Sequence, residues 1–262
     1  IEELQRELGF QKVTKLASNE SPIGPSPLVI AELEKLTRQA HLYPDGDCFE
    51  LKKSLAFKEE ILPNQIIIGN GSNEVLELVA HAYLEEGDEA LMGEHCFIVY
   101  PIVSSLSRAT VVRSSMENMA IDLTDLLARI TEKTKVILIV HLTGSSCNMD
   151  KLMKIVNKYN LLLIEDCAQS HGALYNNKKL GTYGLLSTFS FYPGKNLGAF
   201  GDGGAICTNN EKLYNYIRSY KNNGCIIKYK HDIIGRNSRL DTIHAAILDI
   251  KLKNLDLNNS KR

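Results

Sequence analysis

Two uninterrupted apolar stretches, Val136-Ile137-Leu138-Ile139-Val140 and Leu161-Leu162-Leu163-Ile164, constrain this chain more than any other feature. A strand wetted on one side alternates polar with apolar residues, whereas a strand that is apolar at every position has both faces buried. Residues 149–159, between the two runs, fit a helix. Two doubly buried strands joined by a helix make the repeating unit of a parallel sheet covered on both faces.

The same alternation continues along most of the chain. Short apolar runs at 66–68, 90–92, 110–112, 187–191 and 204–208 read as further strands, and 28–39, 73–84, 98–106, 121–130, 210–221 and 240–252 as helices. In the first of these helices Val29, Ile30, Leu33 and Leu36 share one face. No repeat, low-complexity tract or linker interrupts the pattern. The expected fold is therefore α/β: one domain with a three-layer α/β/α arrangement around a mainly parallel sheet. With 30 Lys+Arg against 31 Asp+Glu, the chain has no basic field for nucleic acid. No apolar run approaches the roughly 20 residues of a membrane-spanning helix, so no membrane partner is expected. Six cysteines without CxxC spacing point to a reducing, cytoplasmic setting.

Ligands of such sheets sit beyond the carboxyl ends of the strands, and three unusual constellations lie there. After the 66–68 run comes Gly69-Asn70-Gly71-Ser72-Asn73-Glu74, where glycines permit a sharp turn and a helix then offers free N–H groups to an anion. A phosphate cup and a ligand-free helix capped by Ser72 both fit this segment. A dinucleotide site does not, because Glu74 stands where the third glycine must be. After the 161–164 run come Glu165 and Asp166, then Cys167, Gln169, Ser170 and His171. Asp166 reads either as a helix cap or as a carboxylate facing a cationic ring nitrogen. Cys167 and His171 alone do not make a metal site, so no metal is expected. The third constellation runs from Ser190 to Gly204 and carries Lys195 among glycines, in the wrong order for a P-loop. A lysine there, partly buried after a strand, is a candidate Schiff-base amine. Pyridoxal 5′-phosphate needs a lysine for its aldehyde, an acid at its pyridine nitrogen and donors for its phosphate, and these three constellations offer one of each.

Longer stretches carry a family resemblance. VHLTG (140–144), NMDKLMKIVNKYNLLLIEDCAQSHGA (148–173), STFSFYPGKNLGAFGDGGAICTNN (187–210) and GRNSRLDTIHAAIL (235–248) closely resemble the DegT/StrS-type sugar aminotransferases, a branch of the fold-type I pyridoxal-phosphate enzymes. KLASNESPIGPSP (15–27), YPDGDCFELKKSLA (43–56), GNGSNEVLELVAHAYLEEGDEAL (69–91) and ITEKTKVILI (130–139) are instead similar to histidinol-phosphate aminotransferase, which shares the fold and cofactor. The likeness thus changes family near residue 140, as in a recombined chain.

The resemblance implies an aspartate-aminotransferase-like large domain over 48–262, an N-terminal arm over 1–47, and a smaller C-terminal domain beyond Arg262 that this chain lacks. It also implies catalytic roles for Lys195, as Schiff-base amine and proton shuttle, and for Asp166 at the pyridine nitrogen. Gln169 is placed beside the ring's phenolic oxygen. Ser190 and the Gly71-Ser72-Asn73 cup take the phosphate, and Phe97 stacks on the ring. Tyr43 and Asn237 reach the partner's site in a homodimer, and Asn19 is a weaker candidate of the same kind. Phe97 as a core aromatic and Tyr43 as an exposed turn residue are the plainer alternatives. Three departures stand out. Val140-His141-Leu142 replaces the Asn-Pro loop of histidinol-phosphate enzymes, and Asn223 and His244 stand where sugar enzymes often have His and Gln. The expected activity is transfer of an amino group from an amino acid such as glutamate to a keto-sugar nucleotide. Histidinol-phosphate transamination is the alternative, and a catalytically silent fragment of the same fold is the rival from another class.

Overall fold

The two apolar runs become neighbouring strands near the middle of a seven-stranded sheet. The computed structural model describes residues 2–14, 20–21 and 24–261. Its sheet contains β1 (Ile66–Gly69), β2 (Glu89–Gly93), β3 (Thr110–Ser114), β4 (Thr134–Val140), β5 (Leu162–Asp166), β6 (Leu186–Ser190) and β7 (Gly204–Thr208). Their spatial order is β1-β7-β6-β5-β4-β2-β3. β7 runs antiparallel to β1 and β6, and the other pairings are parallel, so the sheet is mainly parallel as expected. In the central pair, Ile137 lies beside Leu163, Leu138 beside Ile164 and Val140 beside Asp166.

Eight helices are used below: α1 (Pro27–Leu36), α2 (Phe49–Glu59), α3 (Ser72–Tyr83), α4 (Val99–Leu106), α5 (Leu123–Ala128), α6 (Met149–Tyr159), α7 (Glu211–Tyr220) and α8 (Thr242–Leu252). Successive strand residues point to opposite faces, and the core divides accordingly. Met92, Leu138, Ile164, Leu186 and Ile206 pack with Val75, Leu76 and Val79 of α3, Tyr100 and Val103 of α4, and Leu213 and Ile217 of α7. Leu91, Ile137, Ile139 and Leu163 pack on the other face with Leu126 of α5 and Met149, Leu152 and Val156 of α6. Ile66, Ile68 and Ala205 meet Leu51 and Leu55 of α2 and Leu248 and Leu252 of α8. Fully burying one such aliphatic side chain contributes about 1.5–3 kcal/mol. This is the three-layer α/β/α arrangement.

Two helices are shorter than their periodicity suggests. The 28–39 pattern ends as an α-helix at Leu36 and finishes in one 3₁₀ turn, Thr37–Gln39, whose polar residues find nothing to pack against. The 121–130 pattern loses its start because Ile121 pairs with Met116 in a two-residue hairpin. Asp122 then caps α5 by accepting from the Thr124 amide. Within the segment expected to be an arm, α1 packs on α8 and buries Val29 completely. Among the described residues, no helix is long and apolar enough to cross a membrane.

Candidate active site

Strand parity decides where the two carboxylates at the end of β5 go. Asp166 shares a face with Ile164 and turns toward α4, whereas Glu165 turns with Leu163 to the opposite face. Asp166 is buried, with only 3 % of its surface exposed. The Ala168 amide donates to its Oδ1 at 2.8 Å, and the Tyr100 hydroxyl donates to Oδ2. Burial pushes its carboxyl above the ordinary value, while the hydrogen bonds from Tyr100 and Ala168 and the Lys195 charge pull it back only in part. No helix begins after β5, so Asp166 is not a helix cap; residues 168–172 form turns instead.

Glu165 is fully enclosed and accepts from four groups: the Gly184 amide at 2.6 Å, the Tyr183 amide at 2.7 Å, the Gly181 amide at 2.8 Å and the His141 ring at 2.9 Å. Burial raises its carboxyl, but the bonds from His141 and from the Gly184 and Gly181 amides prevail and hold it below the ordinary range. Glu165 therefore ties the 181–184 loop and the end of β4 to β5. Its role is architectural.

Lys195 lies in the loop that leaves β6. The loop is fixed by Lys195 N donating to Tyr192 O at 2.9 Å and Ala199 N donating to Phe191 O at 2.7 Å. Gly198 is required within it, because a Cβ there would stand 2.5 Å from the Pro193 carbonyl oxygen. The half-buried amine has a lowered proton affinity: burial drives it down, and the Asp166 charge opposes that. Lys195 and Asp166 thus sense one another across neighbouring strand ends.

The Gly71 segment leads into α3. Gly71, at φ +110°, is the N-cap of α3 and offers no side chain, so Ser72 is the first helical residue rather than the cap. By contrast, α6 and α7 are capped by Asn148 and Asn210, which accept from the Lys151 and Leu213 amides at 3.0 Å. The first amides of α3 remain available to an anion. Gly204 brings β7 against this cup, since a Cβ on it would stand 2.7 Å from Gly71 C and 2.9 Å from Ser72 N. Across the ladder from Gly204 is the buried Ser190, whose Oγ accepts from the Tyr192 amide at 3.3 Å. Gly71, Ser72, Asn73 and Ser190 are thereby gathered at one end of the crevice. Glu74 folds back on the turn, accepting from the Asn70 amide at 2.6 Å and the Ser238 hydroxyl at 2.5 Å.

The remaining candidates divide. Phe97 is half exposed and meets Tyr100 edge-on with centroids 5.9 Å apart, so it is no core aromatic. Gln169 is half-buried, three residues beyond Asp166. Tyr43 is fully exposed, and Asn237 is also exposed. The turn that follows Tyr43 (Pro44 to Gly46) and Asn237 line one cleft of about 300 Å³ on the outer side of the α3 N-terminus, beside Asn70 and Glu74. Just after that turn, Asp47 meets the buried Lys52 at 3.1 Å, and Lys52 also contacts the Tyr214 hydroxyl at 3.2 Å. Asn19 lies outside the described residues. Sequence reasoning missed Tyr100 and the His141–Glu165 pair. Tyr100 sits in an apolar helical run and carries no signal of its own; strand parity puts Asp166 on the face of Ile164 but does not say which residue of the covering helix meets it.

The arrangement can hold a pyridine cofactor bearing a phosphate and an aldehyde. The glycine-lined, uncapped helix start suits the phosphate, the buried Asp166 suits a protonated ring nitrogen, and Lys195 suits the aldehyde. Among the described residues, no cluster of three metal-ligating side chains occurs.

Comparison with known proteins extends the picture. Residues 60–262 match the model of the DegT/DnrJ/EryC1/StrS aminotransferase family. The chain is 44 % identical over 198 residues to a dTDP-3-amino-3,6-dideoxy-alpha-D-galactopyranose transaminase of Aneurinibacillus thermoaerophilus, covering 74 % of this chain and 54 % of that protein. It is 45 % identical over 145 residues to a histidinol-phosphate aminotransferase of Haemophilus influenzae, covering 54 % of this chain and 38 % of that protein. Among solved structures, DesV of S. venezuelae, in complex with a ketimine intermediate, superposes with a TM-score of 0.77 at 32 % identity, covering 88 % of this chain and 62 % of that one. The chain spans about half the length of the sugar-transaminase relatives it matches.

Proposed function

The chain belongs to the DegT/DnrJ/EryC1/StrS aminotransferase family, and on that premise we propose that it binds pyridoxal 5′-phosphate and moves an amino group from an amino acid, glutamate, to a keto-sugar nucleotide. One observation carries the reading: a buried carboxylate at the end of β5 within electrostatic reach of a half-buried lysine after β6, beside an uncapped helix start.

When bound, the cofactor supplies an electron sink for the electrons freed at the donor's Cα. Asp166 holds the ring nitrogen's proton, and its burial makes a cation there the most favourable partner available. Lys195 Nζ would be the amine that holds the cofactor's aldehyde group and the base that takes the proton from the donor's Cα. Burial lowers its proton affinity, which enlarges the neutral fraction that can do either. The amides of Ser72 and Asn73 beyond Gly71, with the Ser190 hydroxyl, hold the phosphate. Gln169 would contact the ring oxygen, and Phe97 would cover a ring face. Tyr43 and Asn237, both exposed, serve the site of a second copy in a homodimer. Residues 48–262 are the cofactor-binding domain and residues 1–47 its arm. Six free cysteines fit a cytoplasmic setting.

The sugar acceptor is supported by the family match and by the galactopyranose transaminase relative. Imidazole acetol phosphate is the second reading, favoured by the likeness to histidinol-phosphate aminotransferase. The test is to load the protein with cofactor, convert it to the amino form with glutamate, and titrate with both acceptors. Faster return of the aldehyde absorbance with a 3- or 4-keto-sugar nucleotide supports the proposal. Faster return with imidazole acetol phosphate overturns the acceptor assignment.

A further inference from the structure

Asp166 is held by more than the strand it ends. Tyr100, 1 % exposed in the first turn of α4, donates its hydroxyl hydrogen to Oδ2, and the Ala168 amide donates to Oδ1. The two donors come from separate elements, so together they fix both the position of the carboxylate and its rotation. Packing holds Tyr100 in turn: it belongs to the core cluster under Leu138 and Ile164, and the Ser104 hydroxyl donates to its carbonyl at 2.9 Å. The phenol also keeps its proton. Burial first, and the Asp166 charge second, push its pKa far above the ordinary value, so it remains a donor at every working pH.

Tyr100 also lines a cavity of about 340 Å³ at the carboxyl ends of β2 and β4, with Cys96, Val140, Leu142 and Thr143. The phenol therefore stands between this cavity and the carboxylate. The titratable groups that act on Asp166 include Lys195 and His141, and the thiols of Cys96 and Cys167 lie near Tyr100.

Resting on the cofactor reading above, we propose that Tyr100 positions Asp166 for the ring nitrogen of pyridoxal 5′-phosphate: its phenol occupies one lone pair of Oδ2 and turns the remaining ones to the crevice. A group meant to meet a ligand atom has to be held to within about 0.5 Å by its supporting contacts, and Tyr100 supplies one.

The test is a double-mutant cycle on the full chain with Tyr100→Phe, Asp166→Asn and the double variant. Two quantities are read: the dissociation constant for pyridoxal 5′-phosphate, and the pH midpoint of the bound cofactor's absorbance change. Tyr100→Phe is expected to weaken binding about ten-fold, or 1.4 kcal/mol, and to move the midpoint to higher pH. Without the phenol, Asp166 binds protons more tightly, the ring loses its positive charge, and that charge no longer depresses the proton affinity of the Lys195 nitrogen. In the Asp166→Asn background the same replacement is expected to change binding less than two-fold. An unchanged midpoint, or an equal loss in both backgrounds, is what mere packing gives and overturns the proposal. If the wild-type protein takes up no cofactor, the cofactor reading fails and this proposal falls with it. If the wild type binds and Asp166→Asn weakens it, but the cycle shows no coupling, only the role of Tyr100 falls. Should Tyr100→Phe not fold, Tyr100→His retains a ring N–H donor: binding within about three-fold of wild type sustains the role, and a ten-fold loss overturns it.

Discussion

Replacing Asp166 by asparagine should move stability and function in opposite directions. The buried carboxylate has a folded-state pKa above its ordinary 3.8 because burial outweighs the bonds from Tyr100 and Ala168 and the Lys195 charge. An acid raised in this way costs the folded apo-protein stability at neutral pH. That cost disappears as pH falls through the raised value toward the unfolded one. Asparagine carries no charge to desolvate, and its carbonyl oxygen can still accept from the Ala168 amide. The apo variant should therefore melt higher than wild type at pH 7, with the gap closing near pH 4. The loaded protein should show the reverse. Losing a charge-assisted hydrogen bond costs about 1.5–3 kcal/mol, which is roughly 10- to 150-fold in cofactor affinity. A neutral amide also cannot hold the ring proton, so turnover should fall by about three or more powers of ten, at about 1.4 kcal/mol of barrier each. Calorimetric melts of the apo-protein against pH, with an absorbance titration of cofactor, read both effects. A variant that melts lower at pH 7, or that turns over at near-normal rate, refutes the reasoning.

Glu165→Gln tests the opposite electrostatic case. The folded-state carboxyl lies below its ordinary 4.5, so its contribution is present above that value and lost as pH falls through the lowered one. Glutamine turns an NH₂ group either toward the Tyr183 and Gly184 amides or toward the Gly181 amide and the His141 ring. The expected loss at pH 7 is about 3 kcal/mol, or roughly 6–12 °C in melting temperature, shrinking below pH 4.5; a melt unchanged at pH 7 contradicts the assignment. Tyr43→Ala removes a side chain that is fully exposed, so apo stability should stay within about 0.5 kcal/mol. In a dimer with shared sites, cofactor affinity should nonetheless fall and depend on protein concentration. A monomer in sedimentation that keeps full affinity on dilution contradicts the shared site.

The sheet was legible because its central strands are apolar at every position, a pattern that leaves only a doubly covered parallel sheet. The helices on either side were legible from their spacing, and their ends were not. Where α5 starts depends on Ile121 pairing with Met116 and on Asp122 capping, and both are contacts rather than patterns. Lys195 and Asp166 could be singled out as candidates by their places at or just after the ends of buried strands, and Ser190 through the family resemblance. Tyr100 could not, because an aromatic in the first turn of an apolar helix has the same signature whether it only packs or also donates to a carboxylate. Glu165 and Asp166 are neighbours in sequence, and only strand parity separates their roles. The Gly71 cup was read with a ligand-free helix capped by Ser72 as its rival, and the structure makes Gly71, not Ser72, the residue at the cap position.

The most direct test of the central claim is to incubate the purified chain with pyridoxal 5′-phosphate, reduce it with borohydride and map the labelled peptide. The expected result is a yellow chromophore that borohydride fixes at Lys195, within the 187–210 stretch, and that Lys195→Ala abolishes while some reversible binding remains. Label on a different lysine, or no reducible chromophore, would contradict the account.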